Sequence, residues 1–365
     1  MRTADARSVN DDRPWRIALV TETFDPRLTG TAGTVRQVTN RLVALGHEVR
    51  ILTAGAGPAT YGAVGVSRFA RPRRNHQLHE ALHAFGPDLV HAFTPEGLGI
   101  RALRQARRLD IPTVVTETSP RAEFAPPRWQ EQVADRADRL TVTASWLRDR
   151  VEAAGLSASL WTPGVDTEVF QPGRRDEALR RTWTDGDLTQ VVVGYVGSLR
   201  KRHGVRRLAE VARVPGTRLV VIGDGPQQAW LRSRLPASVQ LTGRLTPRHA
   251  AAAIASLDVL VQPSTRTTCA HTLREAAACG VPVVAPRAGG AIDVVEHLGT
   301  GVLYDPQQPG GLADAVAAVV ADPRRQLLGD HARHRIAGRS WRVAVDELVR
   351  AHYGPLLGAP LDLAA

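Results

Sequence analysis

Cysteine, lysine, methionine and aromatic residues are all scarce in this chain of 365 residues. Cys269 and Cys279 are its 2 cysteines, too few for a disulfide framework or a four-thiolate metal site, which fits a reducing compartment. Aromatic residues make up 5%, and none is interleaved with the arginines as a stacking platform for nucleic acid requires. No apolar run is long enough to span a bilayer. The opening stretch from Met1 to Arg16 is polar and lacks the apolar core of a secretion signal. These absences predict a cytoplasmic protein, without a metal cluster and without nucleic acid as its partner.

What is present is a basic, arginine-dominated chain. Its 47 basic and 36 acidic residues give a net charge of +11, and Lys201 is the sole lysine. The excess is spread evenly, +5 up to Val165 and +6 beyond it, so no basic tail exists, and the arginine and alanine abundance reads mainly as codon bias. A diffuse positive surface suits sugar diphosphates or acidic lipids. Two segments qualify for peripheral contact with an anionic membrane: Arg68, Phe69, Arg71, Arg73 and Arg74, and a helix bearing Arg101, Arg104, Arg107 and Arg108. A solvated helix face accounts for the same arginines equally well.

At 43% hydrophobic, the chain carries enough apolar residues for a sizeable core, and its length suggests two domains. Short apolar runs alternate with helical periods: Ile17-Ala18-Leu19-Val20, then Val35, Val38, Leu42 and Leu45, then Val49 to Leu52, continuing through Ser145 to Ala154. A Pro, Gly, Asp and Arg-rich stretch interrupts the pattern, which restarts at Val191 and runs through strand Val281 to Ala285. Helices are predicted over Val205 to Val214, Arg248 to Ala255, Thr272 to Cys279, Gly311 to Val320 and Trp341 to Tyr353, and a helix with a strand over Ala291 to Leu303. Buried strands alternating with amphipathic helices give an α/β fold of two doubly wound, Rossmann-like domains. Such domains bind ligands at the carboxyl ends of their strands, so two facing halves predict an interdomain cleft. The expected boundaries are a polar leader at 1–14, a first domain at 15–165, a linker at 166–188, a second domain at 189–340, and a terminal helix at 341–365 that packs back on the first domain.

Three segments of the second half carry chemistry. Gly194-Tyr195-Val196-Gly197-Ser198-Leu199 runs into Arg200-Lys201-Arg202-His203-Gly204, a cradle for a diphosphate or an ordinary turn with solvated arginines. Val220 to Pro226 ends in Gly223-Asp224-Gly225, weak by itself. Thr272-Leu273-Arg274-Glu275-Ala276-Ala277-Ala278 sets one carboxylate on a helix of small residues. An ionised carboxylate there needs partners, and the two hydroxyls of a ribose would satisfy it.

Taken in series, Ile17 to Phe24, Leu45-Gly46-His47-Glu48-Val49, Pro87 to His91, Gly164 to Phe170, Val221 to Pro226, and Glu275-Ala276 with Gly280 to Ala285 resemble the family 4 retaining glycosyltransferases of GT-B fold. The similarity spans about Ile17 to Tyr304 and is greatest to the actinobacterial GDP-mannose-dependent α-mannosyltransferases and phosphatidylinositol mannosyltransferases. The resemblance implies a nucleotide-diphosphate sugar on the second domain, GDP-mannose first among the donors, and a lipid or small-molecule acceptor on the first. It implies transfer without an obligatory metal or other cofactor, in the cytoplasm or at the inner face of the cell membrane. Carried over by position, Glu275 holds the ribose, the amides around Thr272 and Leu273 meet the diphosphate, Gly30 lets the first domain close over the phosphates, and Arg244 lies by the base.

Several positions depart from the family pattern. Ser198 and His203 stand where the family has arginine and lysine, Thr267 where it has a glutamate, Cys269-Ala270 where it has an aromatic-glycine step, and Glu117 where it has a histidine near the acceptor. Glu117, Thr267 and His203 are thus the candidate catalytic positions, while Gly30, Ser198, Arg200, Lys201, Arg244, Thr272, Leu273 and Glu275 are the candidate donor contacts. Lys201 is expected to replace the missing cation, and a protonated His203 to assist. The main expectation is a hexosyltransferase; the alternative is a degenerate relative that binds nucleotide sugar or partners an active enzyme without turnover.

Overall fold

In the computed structural model the first apolar run forms strand β1 (Arg16–Thr21), whose residues Ile17 to Val20 are fully buried. The structure describes residues 13–26, 29–70, 74–119 and 126–358. The chain divides into two compact units, Met1–Thr143 with Leu147–Pro163 and Trp341–Ala365, and Ala144–Trp146 with Gly164–Ser340.

The first unit adds β2 (Glu48–Ala54), β3 (Thr60–Tyr61), β4 (Val64–Phe69), β5 (Leu89–Phe93), β6 (Thr113–Glu117), β7 (Arg139–Val142) and β8 (Ser159–Leu160). They form one sheet in the order β3-β4-β2-β1-β5-β6-β7-β8, parallel except where β3 pairs with β4. Parallel pairing demands crossover helices, among them Gly30–Ala44, which Thr29 caps by accepting the Ala32 N–H. Sequence periodicity assigns no element between the strand at Val49 to Leu52 and the strand at Asp88 to His91; β3, β4 and the helix Arg74–Phe85 occupy this interval. The hairpin is too short, and the helix too rich in histidine and arginine, to show a period.

The terminal residues also fold into this unit. The helix Trp341–Leu348 is followed by a π-turn, Val349–Tyr353. Trp161 donates its indole N–H to the Ala344 carbonyl at 2.8 Å, and Arg41 grips Asp346 at 2.6 and 2.9 Å. Beneath them His91 is fully buried between two hydroxyls, its Nδ1 2.6 Å from Tyr353 Oη and its Nε2 2.7 Å from Thr116 Oγ1. Burial holds this imidazole well below its usual pKa, and the nearby His352 adds to the effect. Tyr353→Phe therefore leaves a buried ring nitrogen without a partner. Its unfolding free energy, from urea titration, is expected to fall by about 1–3 kcal/mol, and a variant as stable as the parent would contradict the network's structural role.

The second unit comprises β9 (Val191–Val196), β10 (Thr217–Ile222), β11 (Gln240–Gly243), β12 (Val259–Val261), β13 (Val283–Pro286) and β14 (Gly301–Tyr304). All are parallel, in the order β11-β10-β9-β12-β13-β14. The stretch 166–188, expected as a linker, is instead part of this unit. It contains the helix Glu177–Trp183, buries Trp183 in the core, and pairs the buried Arg180 with Asp258 at 2.9 Å. Over 291–303 only the strand forms, preceded by a 3-10 turn, Gly289–Ala291. The helix expected at 205–214 breaks into a 3-10 turn and the single helical turn Leu208–Val211. The arginine-dense helix Arg325–Ile336 escaped the apolar pattern altogether. The expected leader lies mostly outside the described residues.

Candidate functional site

In the second unit the chain lays down β9, β10 and β11 outward in one direction, then returns to place β12 on the other side of β9. The helices leave on opposite faces from there, and the crevice at the carboxyl ends of β9 and β12 is the binding position that this topology creates. Three loops meet at it. After β9, Gly197 donates to the Ile222 carbonyl at 3.0 Å and Leu199 to the Asp224 carbonyl at 2.8 Å. A Cβ on Gly223, at φ +140°, would stand 1.9 Å from the Gly197 carbonyl oxygen, so only glycine permits the two strand ends to approach this closely. A Cβ on Gly204, at φ +70°, would stand 2.7 Å from the Pro263 carbonyl oxygen, which fastens the β9 loop to the β12 loop.

The loop after β12 enters the helix His271–Ala278 through Ala270, a left-handed residue at φ 48° that supplies no side-chain cap. The first-turn amides, including those of Thr272 and Leu273, lack that cap and form the positive end of the helix. The Leu273 side chain itself is fully buried in the core, so any ligand contact is made by its backbone. One turn on, Glu275 is half-buried, and its carboxylate has no hydrogen-bond or ion-pair partner among the described residues. Burial pushes its pKa up to about 7, the behaviour of a carboxylate without a compensating donor.

Two residues here carry no sequence signal beyond their type. Arg274, 4% exposed, gives its Nε–H to the Cys269 carbonyl at 3.3 Å, and burial draws its pKa down to about 10. A lone arginine in a run of alanines is the only hint of it. Burial and the Arg274 charge hold His271 down at about 4, so the helix begins on a neutral imidazole. Trp146 donates its indole N–H to the Thr267 carbonyl at 2.8 Å, and Gly290 donates to the same oxygen at 2.6 Å. These bonds pin the loop ahead of the helix.

The structure thus gathers Ser198, Arg200, Lys201, His203, Arg244, Thr267, Thr272, Leu273 and Glu275 in one unit, and Gly30 and Glu117 in the other. Arg200 and Lys201 are exposed. The Ser198 carbonyl accepts from Tyr195 Oη at 3.1 Å and lies 3.0 Å from His203 Nδ1. Arg202 donates toward His203 Nε2 at 3.4 Å. With its second nitrogen an acceptor, and with burial and the charges of Arg202 and Arg200 lowering its pKa against the pull of the Ser198 carbonyl, His203 is neutral at pH 7. The expected protonated helper is therefore corrected to a neutral hydrogen-bonding ring. Thr267 turns its hydroxyl back to the Ser264 carbonyl at 3.2 Å, and Arg244 pairs with Asp224 at 3.1 Å. Gly30 opens the helix Gly30–Ala44. Glu117, at the end of β6, is 1% exposed; it accepts the Ser119 N–H and hydroxyl, both at 2.9 Å, and the Trp129 indole at 3.4 Å.

Two family profiles match the chain, one described as "Glycosyltransferase Family 4" over residues 28–169 and one as "Glycosyl transferases group 1" over residues 190–322. A GDP-mannose-dependent alpha-mannosyltransferase of Mycolicibacterium smegmatis is 35% identical over 94% of this chain and 98% of its own length. A protein of the same description from Mycobacterium tuberculosis is 34% identical over 96% and 99%. Among solved structures, Anabaena HepE in complex with UDP and glucose superposes with a TM-score of 0.80, at 17% identity over 93% of this chain and 100% of that one. Sucrose-phosphate synthase from Thermosynechococcus elongatus gives 0.77 at 22% identity over 94% and 100%. These likenesses agree with the two parallel-sheet units in assigning the GT-B architecture. The chain belongs to family 4 of the glycosyltransferases and is a glycosyltransferase.

Proposed function

We propose that this glycosyltransferase moves a mannosyl group from GDP-mannose to a lipid or small-molecule acceptor, with retention of anomeric configuration and no obligatory metal. The observation that carries the reading is Glu275, a half-buried carboxylate with no partner among the described residues, one turn inside a helix without a side-chain cap. Two ribose hydroxyls supply the donors it lacks, and ligand binding then recovers the ionised form that burial disfavours. The diphosphate lies against the first-turn amides near Thr272 and Leu273, where the helix dipole favours negative charge. Arg244 takes the base. The relatives described as GDP-mannose-dependent make that donor the first to test.

Leaving-group charge has to be met without the family's paired cations at Ser198 and His203. Lys201 and Arg200, exposed on the β9 loop, are assigned that role, Lys201 first because its compact ammonium on a flexible stem can reorient toward the phosphates. The neutral His203 and the tied hydroxyl of Thr267 shape the loop, and Glu117 orders the segment after β6; all three position rather than react. Calorimetric titration with GDP-mannose, followed by product analysis with anionic lipid acceptors, tests the reading. Binding without transfer across a broad acceptor panel instead supports a degenerate donor-binding protein. Lys201→Ala is expected to weaken GDP-mannose binding about tenfold, the worth of one charge-assisted contact at a partly solvated site. Unchanged affinity in that variant removes Lys201 from the diphosphate.

A further inference from the structure

In the first unit the chain lays β2, β4 and β3 to one side of β1, then returns to place β5 on the other side. The carboxyl ends of β1 and β5 are therefore the place where this sheet takes a ligand. Glu22, the first residue after β1, ties those two ends together. Its Oε1 accepts three backbone N–H groups from the segment after β5, those of Glu96 at 3.1 Å, Leu98 at 2.7 Å and Gly99 at 2.9 Å. These amides open the helix Gly97–Arg108, whose Ncap residue, Glu96, supplies no side-chain cap. The positive end of that helix, a natural seat for a phosphate, is thus already filled by a carboxylate of the chain itself.

The side chains around this bridge are neutral hydroxyls. Thr94, just after β5, is held at a left-handed φ of 47°, a strained conformation for a β-branched residue and one that clusters at functional sites. Its Oγ1 lies 2.5 Å from Thr118 Oγ1 and accepts the Thr118 N–H at 3.1 Å. Thr118 Oγ1 in turn lies 3.1 Å from Thr31 Oγ1, and Thr23 Oγ1 lies 3.3 Å from Thr29 Oγ1. A hydroxyl both donates and accepts, which matches the hydroxyls of a polyol, whereas an anion needs donors alone. The cations that touch the loop after β1 are spent. Arg36 pairs with Asp25 at 3.6 Å, and Arg68 gives its guanidinium to the carbonyls of Pro58, Ala56 and Asp25. Phe69 is buried, while Arg71 and Arg73, with the side chain of Arg74, lie outside the described residues.

We propose that Glu22 sets the acceptor specificity of this unit: a fixed carboxylate on the helix amides keeps phosphate-bearing groups out of the strand ends, and the threonine hydroxyls take a neutral polyol or sugar there. Resting on the transfer reading, this narrows the acceptor: a lipid one presents a neutral sugar or glycerol group at β1 and β5 and holds any phosphate away from them. Among the described residues, no helix is long and apolar enough to cross a membrane. Two effects exclude the phosphate. Its best donors, the three amides, are occupied, and repulsion between unit charges roughly 10 Å apart at a partly solvated site lowers affinity about tenfold.

The test is an NMR titration of the full chain, in excess GDP, with methyl α-glucoside and with its 6-phosphate, each also used to displace the other. The parent is expected to bind the glucoside about tenfold more tightly than the phosphate. Glu22→Gln keeps an oxygen for the amides but removes the charge, so the ratio is expected to fall to about one, with a loss of about threefold in glucoside affinity because a neutral cap holds the amides less firmly. Glu22→Ala opens the three amides and is expected to reverse the preference. A merely structural cap would weaken both ligands alike and leave their ratio unmoved. Glu80→Gln, which removes an exposed carboxylate from the helix Arg74–Phe85 of the same unit, is expected to leave the ratio at its parental value. An equal fall in that variant, a parent that binds both ligands alike, or a parent that binds no glucoside would overturn the assignment. The donor reading fails separately, on the absence of heat with GDP-mannose, because the glucoside pair reports on the first unit whether or not the donor binds.

Discussion

Glu275→Gln is expected to make donor binding independent of pH between 6 and 8, whereas the parent binds GDP-mannose about tenfold more tightly at pH 8 than at pH 6. The sign follows from the raised pKa of about 7. Only the ionised carboxylate accepts from both ribose hydroxyls, and its population rises from about a tenth to about nine tenths across that interval. Glu275→Ala removes two hydrogen bonds to a charged acceptor and is expected to weaken donor binding on the order of 10²–10³-fold. Stability moves the other way. A native pKa above the unfolded value means that the folded chain holds a proton the unfolded chain releases, so stability falls as pH rises from about 4.5 to about 7. The full slope amounts to roughly 3 kcal/mol, and Glu275→Gln abolishes it. Calorimetric titration at several pH values, with urea unfolding of both chains, measures the two effects together. A parent whose donor affinity does not vary from pH 6 to 8 would show that Glu275 is not the ribose contact.

Gly223→Ala is the second substitution with a large expected effect, and it acts through the backbone. The added methyl group would meet the Gly197 carbonyl oxygen at 1.9 Å, and a φ of +140° is nearly closed to alanine. Because the obstructing atom is main chain on the next strand end, relief requires β9 and β10 to part. The combined backbone strain and overpacking are expected to lower stability by roughly 3–5 kcal/mol. The β9 loop carrying Lys201 shifts with them, so donor affinity falls as well. Gly62, at φ +56° with open space around it, serves as the comparison: alanine there is strained but not obstructed, and is expected to lose about 1 kcal/mol without altering donor binding. Equal losses at the two glycines would argue that the contact with Gly197 is unimportant.

Much of this organisation was legible in the residues themselves. β1, β9 and β12 are largely apolar runs because parallel strands are covered on both faces, and the helices after β1 and β12 keep a clear period. Elements built from mixed or basic residues were not legible. Trp183 and Arg180 make 166–188 part of a folded unit, yet Arg180 is satisfied by Asp258, more than seventy residues away in sequence, and Trp183 packs in a core cluster with residues as distant as Leu260. The Arg325–Ile336 helix shows no apolar stripe because it buries small and isolated residues, Gly329, Ala332 and Ile336.

The site divides along the same line. The alternation that forces two parallel sheets, the glycines at their strand ends, and the family to which the chain belongs are readable before folding is considered, since these reside in local spacing and residue order. Which polar groups are already satisfied is settled by the folded chain. It seats Glu117 among donors, turns His203 into a neutral ring, consumes the Arg68 guanidinium on three carbonyls and leaves the Glu275 carboxylate without a partner among the described residues. Hydrogen bonding and burial set whether an ionisable group is reactive or structural, and both are made by residues that meet only when the chain has folded.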